Sequence, residues 1–155
     1  MLSKNKYLEI IKESTLTSVD LILLNQNKIL VGWRNNNPAK NTWFTPGVRT
    51  YKNETQMEAI KRVAKSELNI EINTNNVKLL GVYDHIYDNN FSDNSFGTHY
   101  VVTAYLYKLN NEYKNNIKID NQHDKIKWID LNELEKDENV HQNVKNYLPQ
   151  INQYL

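Results

Sequence analysis

The sequence predicts an α/β (α+β) fold, an α/β/α sandwich around a mixed central sheet, and three observations carry that expectation. Runs rich in branched and aromatic residues recur at Val19–Leu24, Ile29–Trp33, Val77–Tyr87, His99–Lys108 and Lys125–Ile129, the composition of strands. Between the second and third runs, Met57, Ile60, Ala64 and Leu68 follow the spacing of one helix face, with Val63 beside them. Shorter helical patterns open and close the chain. Its 155 residues are expected to form one domain over 1–155, long enough for a proper core.

The elements follow in order. Tyr7, Ile10 and Ile11 mark a short amphipathic helix that ends before Thr15. Val19–Leu24 and Ile29–Trp33, separated by Asn25-Gln26-Asn27-Lys28, read as a hairpin of two well-buried strands. Asn35 to Asn41 is a polar loop containing Pro38, and Trp43-Phe44-Thr45-Pro46 is a short strand leading into a Pro-Gly turn at Gly47. After the central helix come two long strands joined by the turn-rich segment Asp88–Thr98. Ile126 and Trp128 alternate with lysines in the last strand. Leu131–Asp137 and Val144–Leu155 read as closing helices, the second broken by Pro149.

Composition excludes several functions. A net charge of +1 gives no reason to expect nucleic acid or an anionic membrane as partner. The absence of cysteine removes disulfides, thiolate catalysis and cysteine zinc sites. The N-terminal MLSKNKYLEIIKEST lacks a continuous apolar core of signal-peptide length, and no run approaches the roughly 20 apolar residues of a membrane helix. A cytoplasmic protein is expected. The asparagine-rich stretches, such as NNNPAKN, read as solvated turns.

Glu67 is the anomaly of the central helix. It lies seven residues after Ile60 and three after Ala64, on the stripe that faces the core. A buried carboxylate costs several kcal/mol unless something compensates its charge. A divalent cation would relieve that cost, as would an ion pair with Arg62 or Lys61 at the edge of the stripe. Gly47, after Pro46, suits close approach of a backbone carbonyl to a hard cation, though a plain turn glycine reads the same way. Glu54, near the helix start, also suits the macrodipole. His85, His99 and His123 are open to a neutral-pH proton transfer by residue type, and equally to simple solvation.

The segment PGVRTYKNETQMEAIKRVAKSELNI, from Pro46 to Ile70, resembles the Nudix box, G-x5-E-x7-R-E-U-x-E-E-x-G-U with U a bulky aliphatic residue. Glu54, Arg62 and Glu67 fall on its acid, arginine and final acid positions. Val48 and Asn69 replace its glycines, and Val63 and Ser66 replace two of its glutamates. Further segments, including Gly32-Trp33-Arg34, Asn37–Phe44, Gly81–His85, Tyr87–Ser92, Thr98–Val102 and Asn121-Gln122-His123-Asp124, resemble the GDP-mannose mannosyl hydrolase branch of that superfamily. That branch also lacks the two glutamates. The resemblance runs in order from near residue 18 to Asp124.

The resemblance implies one magnesium per subunit, with manganese as a substitute, held by the Gly47 carbonyl, Glu67 and Gln122. It implies His123 as general base, Arg34, Arg49 and Tyr100 on the diphosphate, and Asp20 aiding leaving-group departure or substrate binding. His85 matches a second active-site histidine of lesser weight. Glu54 would support the loop by pairing with Arg62. Val48 stands where the branch commonly has a second glycine, which would shift the turn at Gly47. The implied substrate is a GDP-sugar, GDP-mannose or a related GDP-hexose, and the implied assembly is a homodimer, to which Phe91 and Phe96 could contribute.

With two box acids missing, the helix has too little charge to collect several metals for attack on phosphorus. One cation and two arginines can still make GDP a good leaving group, which moves the electrophile to the anomeric carbon. Water then attacks from the far face and inverts that carbon. The rival readings are a conventional Nudix pyrophosphatase, releasing sugar phosphate and a nucleoside monophosphate, and a non-catalytic nucleotide-sugar sensor.

Overall fold

A computed structural model describes residues 2–110 and 123–155, with His123 and Asp124 described through their backbone. The order is α1 (Lys4–Glu13), β1 (Leu16–Asn25), β2 (Lys28–Arg34), β3 (Trp43–Phe44), β4 (Gly47–Arg49), α2 (Gln56–Leu68), β5 (Lys78–Tyr87), β6 (Thr98–Lys108), β7 (His123–Asp130), α3 (Leu131–Leu134), α4 (Gln142–Lys145) and α5 (Leu148–Asn152). The mixed sheet and the central helix stand where the sequence puts them.

The strands form one seven-stranded sheet with the main path β3-β2-β1-β6-β5. β1 runs parallel to β6 from Leu16↔Tyr100 to Leu24↔Lys108. Its other edge is shared between two partners. Leu24 and Asn25 pair with Ile29 and Lys28 of β2, whereas Ser18, Val19 and Asp20 pair with Arg49, Val48 and Gly47 of β4. The hairpin is therefore present at its turn, where Gln26 has φ of 56°, but β2 soon leaves β1 to pair with β3 and β7.

That divergence corrects one expectation. Pro46-Gly47 is not a turn; it enters a paired strand. The Pro46 carbonyl accepts from Leu21 N at 2.8 Å, and Gly47 stands opposite Asp20. The reason is hydrogen-bond demand: buried amides on the β1 edge need partners once β2 has left. Val48, extended in β4, packs against the core under α2, so its side chain has a place.

Both faces of β1 are covered, which accounts for its apolar run from Leu21 to Leu24. Val19, Leu21 and Leu23 pack with Leu30 against Ala59, Ile60, Val63 and Leu68 of α2. Ile22 and Leu24 face the opposite way, into a core with Leu106, Leu134, Val144, Tyr147 and Ile151 beneath the C-terminal helices. Each fully buried Leu or Ile contributes about 1.5–3 kcal/mol.

Local chemistry sets the ends of α2. Thr55 Oγ1 accepts from Glu58 N at 3.2 Å while Glu58 Oε2 accepts from Thr55 N at 2.9 Å, a capping box. Asn69 ends the helix at φ 55°, a left-handed conformation that asparagine tolerates better than most residues. That conformation explains how it can stand in for the box glycine. Pro149 does not break a longer helix as expected; it lies in the first turn of α5, where its missing N–H costs little. Among the described residues, no helix is long and apolar enough to cross a membrane.

Candidate active site

Toward the N-terminal end of β1, the face that carries Ile22 and Leu24 opens into a cavity of about 130 Å³. Asp20 and Ser18 reach it from β1, Gly47 and Arg49 from β4, Tyr100 and Val102 from β6, and His85 and Tyr87 from β5. Register explains the grouping, because Asp20↔Gly47, Ser18↔Arg49, Ser18↔Val102 and His85↔Tyr100 are cross-strand neighbours on one face. Arg34 enters from the end of β2. The fold thus brings Asp20, Arg34, Gly47, Arg49, His85 and Tyr100 to one cavity.

Asp20 is 5% exposed. Its Oδ2 accepts from Tyr147 Oη at 2.6 Å and from Thr45 Oγ1 at 3.1 Å. Burial pushes its carboxyl up to about 6, against the pull of those hydrogen bonds and of the Arg34 charge. The same carboxylate explains Gly47: a Cβ there would overlap Asp20 Oδ1 and come within 3.0 Å of the Val19 carbonyl. Close approach, not a left-handed backbone, demands the glycine.

The two arginines are held differently. Arg34 Nε donates to the Pro38 carbonyl at 2.9 Å and Nη2 to that of Asn36 at 3.4 Å, so the loop after β2 fixes the guanidinium plane. That loop places Ala39 and Asn41 at φ 66° and 63° and is tied by Thr42 Oγ1 donating to the Ala39 carbonyl at 2.6 Å. Arg49 lies over the rings of Tyr7 (4.8 Å) and Tyr51 (5.1 Å). The hydroxyls of Tyr7 and Tyr100 share a hydrogen bond of 2.9 Å, and burial raises the Tyr100 phenol above its usual range, so it stays protonated at neutral pH.

His85 is 4% exposed. Burial, then repulsion from His141, pushes its imidazole down to about 4, which keeps the ring neutral near pH 7. Phe44 meets it edge-on at 5.8 Å. His99, by contrast, pairs with Asp84 at 2.9 Å and is not among the residues lining the cavity.

The box forms a clamp beside the cavity. Arg62 Nε and Nη2 donate to Glu54 Oε2 and Oε1 at 2.8 and 2.9 Å, and Nη2 also reaches the Arg49 carbonyl at 2.8 Å. The hydrogen bond to Arg62 holds the Glu54 carboxyl below its ordinary value. The carbonyl of Gly47 lies on the same edge of β4 as that of Arg49. Leu21 N→Pro46 O and Thr50 N→Thr17 O bracket the β1–β4 ladder, which leaves Gly47 and Arg49 in the positions whose carbonyls point away from β1.

Glu67 does not line the cavity. It is 7% exposed on α2, which packs against β1 and β4 from the opposite face. Arg62 feels its charge and makes its hydrogen bonds to Glu54 and the Arg49 carbonyl. An outward carbonyl and a buried carboxylate are hard oxygen donors of the kind magnesium prefers. Among the described residues, no three His, Asp or Glu side chains group so as to hold a metal. Gln122 lies outside the described residues. The backbone of His123 pairs with that of Arg34, a residue that lines the cavity, while the His123 side chain is outside the description.

Residue patterns missed Thr45, His141 and Tyr147. Tyr147 reads as part of a closing helix, yet its hydroxyl touches both Asp20 and, at 3.2 Å, His85 Nε2. No local signal marks it, since 127 residues separate it from Asp20.

A split, mixed sheet with a capped helix beside a buried carboxylate and two fixed arginines makes up an α+β domain with a polar cavity at its centre. The chain belongs to the Nudix family: residues 15–151 match the NUDIX domain. It is 35% identical over 118 residues to the low-salt glycan biosynthesis protein Agl8 of Haloferax volcanii, covering 76% of this chain and 72% of that protein. Its fold resembles a MutT NUDIX hydrolase from Burkholderia pseudomallei at 21% identity (TM-score 0.73, 90% of this chain and 99% of that chain). The NUDIX domain of Shewanella oneidensis NrtR, crystallised with ADP ribose, superposes at 16% identity (TM-score 0.69, 99% of each chain).

The pKa of Asp20 makes a stability prediction. Between its ordinary value of 3.8 and about 6, the folded state keeps the proton that the unfolded state has released. Stability from this group therefore falls as pH rises, by about 1.36 kcal/mol per pH unit and about 3 kcal/mol in all. Asp20→Asn is expected to gain stability relative to the parent from pH 4 to pH 6.5 and then level off in urea titrations. A difference independent of pH would refute the assignment.

Proposed function

We propose that this chain hydrolyses a GDP-sugar, GDP-mannose or a related GDP-hexose, to GDP and free sugar, with water attacking the anomeric carbon and inverting it. One observation carries the reading. At the box positions where Nudix enzymes gather acids, α2 has Val63 fully buried in the core and Ser66 exposed, leaving Glu67 as the buried carboxylate. Such a helix supports one cation and not a cluster.

We assign Gly47 through its carbonyl, Glu67 and Gln122 as the holders of magnesium, or manganese in its place. A bound cation would supply positive charge to the diphosphate as GDP departs. Arg34 and Arg49 add fixed charge from guanidiniums already oriented by the Pro38 carbonyl and by Tyr7 and Tyr51. Tyr100, held protonated by burial, donates its hydroxyl hydrogen to a phosphate oxygen. Asp20 and His85 form the wall beside them and hold the substrate. His123 takes the proton from water as general base, in the segment that continues from Gln122.

Agl8's part in glycan biosynthesis supports a sugar-nucleotide substrate for this chain as well. Heavy-oxygen water is expected to label the free sugar; label in phosphate, with nucleoside monophosphate as product, would establish the pyrophosphatase reaction instead. His123→Gln is expected to lose about a hundredfold or more in kcat with little change in KM. Near-parental turnover of that variant would remove the base from this position.

The same reading includes a homodimer. Leu79, Val82 and Ile86 on the terminal strand β5 are 56%, 65% and 67% exposed, an apolar edge suited to a second copy. Sedimentation velocity is expected to give twice the chain mass, and a monomer at micromolar concentration would overturn this part.

A further inference from the structure

We infer that Tyr147 is a positioning residue, whose hydroxyl anchors the Asp20 carboxylate and holds the His85 ring in the tautomer that carries hydrogen on Nε2. The inference rests on the proposed roles of Asp20 and His85 for its effect on turnover, but not for its geometry.

Tyr147 is fully buried, and its ring meets Tyr83 edge-on at 4.8 Å and 79°, which leaves the hydroxyl little freedom to move. It lines no part of the cavity, so any effect on chemistry must pass through its neighbours. A phenol has one hydrogen and can also accept. An ionised carboxylate only accepts, so the hydrogen is directed to Asp20 Oδ2 at 2.6 Å. His85 Nε2, 3.2 Å from the same oxygen, is then left to donate. Its Nδ1 keeps the lone pair. Thr45 Oγ1 gives Oδ2 a second donor, so the carboxylate is held from two sides.

One hydroxyl thus couples two side chains that reach the cavity from β1 and β5, and it comes from the C-terminal segment that also supplies His141. The neutral ring that burial favours at His85 is the form this arrangement requires.

The experiment is nitrogen-15 histidine spectroscopy of the whole chain near pH 7.5, with and without Tyr147→Phe, beside steady-state hydrolysis of GDP-mannose with magnesium. The parent is expected to show His85 protonated on Nε2, and the variant a shift toward a mixture of tautomers. In kinetics, the variant is expected to lose about tenfold in kcat with KM within about twofold. Phenylalanine keeps the ring, but if the variant does not fold, the parent spectrum alone decides: hydrogen on Nδ1 overturns the inference. An unchanged spectrum in a folded variant, or an unchanged kcat, overturns it too. Because the spectrum needs no substrate, a failure of the GDP-sugar reading would leave the tautomer result intact and would be recognised as separate.

Discussion

The shared edge of β1 is the constraint on which this molecule is built. β1 gives its C-terminal end to β2 and its N-terminal half to β4, while its other edge is fully paired with β6. A strand so enclosed, with helices over both faces, must be apolar nearly throughout. Asp20 is its charged residue, beside the buried polar Ser18 and Asn25. It lies where β2 has left and β4 has entered, so its backbone is satisfied by the sheet while its carboxylate faces the cavity. Desolvation of that carboxylate costs stability, and Tyr147, Thr45 and the charge of Arg34 offset part of the cost.

The charged groups around the cavity are held before any ligand arrives. Arg34 is fixed by carbonyls of its own loop, and Arg49 rests on two tyrosine rings. The Glu54–Arg62 pair ties α2 to the carbonyl of Arg49 and so sets the edge of β4 on which the Gly47 carbonyl also lies. Groups on strands and clamped loops lose little freedom when they engage an anionic ligand, and catalysis by fixed charge depends on such preorganisation.

The thinned box gains a structural meaning from the packing. Val63 is not a weakened ligand; it is a core residue, fully buried against β1. A glutamate there would need its own compensation inside an apolar cluster. Asn69 likewise fills the left-handed helix end that a glycine would take. These departures from the Nudix pattern leave the fold intact and lower the acid content of the helix.

Much of this was legible in the residues. The five strand runs and the apolar stripe of α2 follow from periodicity, because local hydrogen bonding and burial of one face decide them, and the Glu54–Arg62 pairing follows from the resemblance to the Nudix box. The anomaly of Glu67 was visible for the same reason: a charge on an apolar stripe shows without knowledge of what the stripe packs against. What the linear sequence left open was decided by strand pairing. Pro46-Gly47 looks like a turn until β1 needs a partner for Leu21, and Gly47 looks conformational until the Asp20 carboxylate is placed over it. Tyr147 is the clearest case, a closing-helix tyrosine by pattern and a hydrogen-bond junction in space. Contacts across 127 and 62 residues depend on how the central strand β1, the terminal strand β5 and a C-terminal segment converge, and no spacing rule along one chain encodes that convergence.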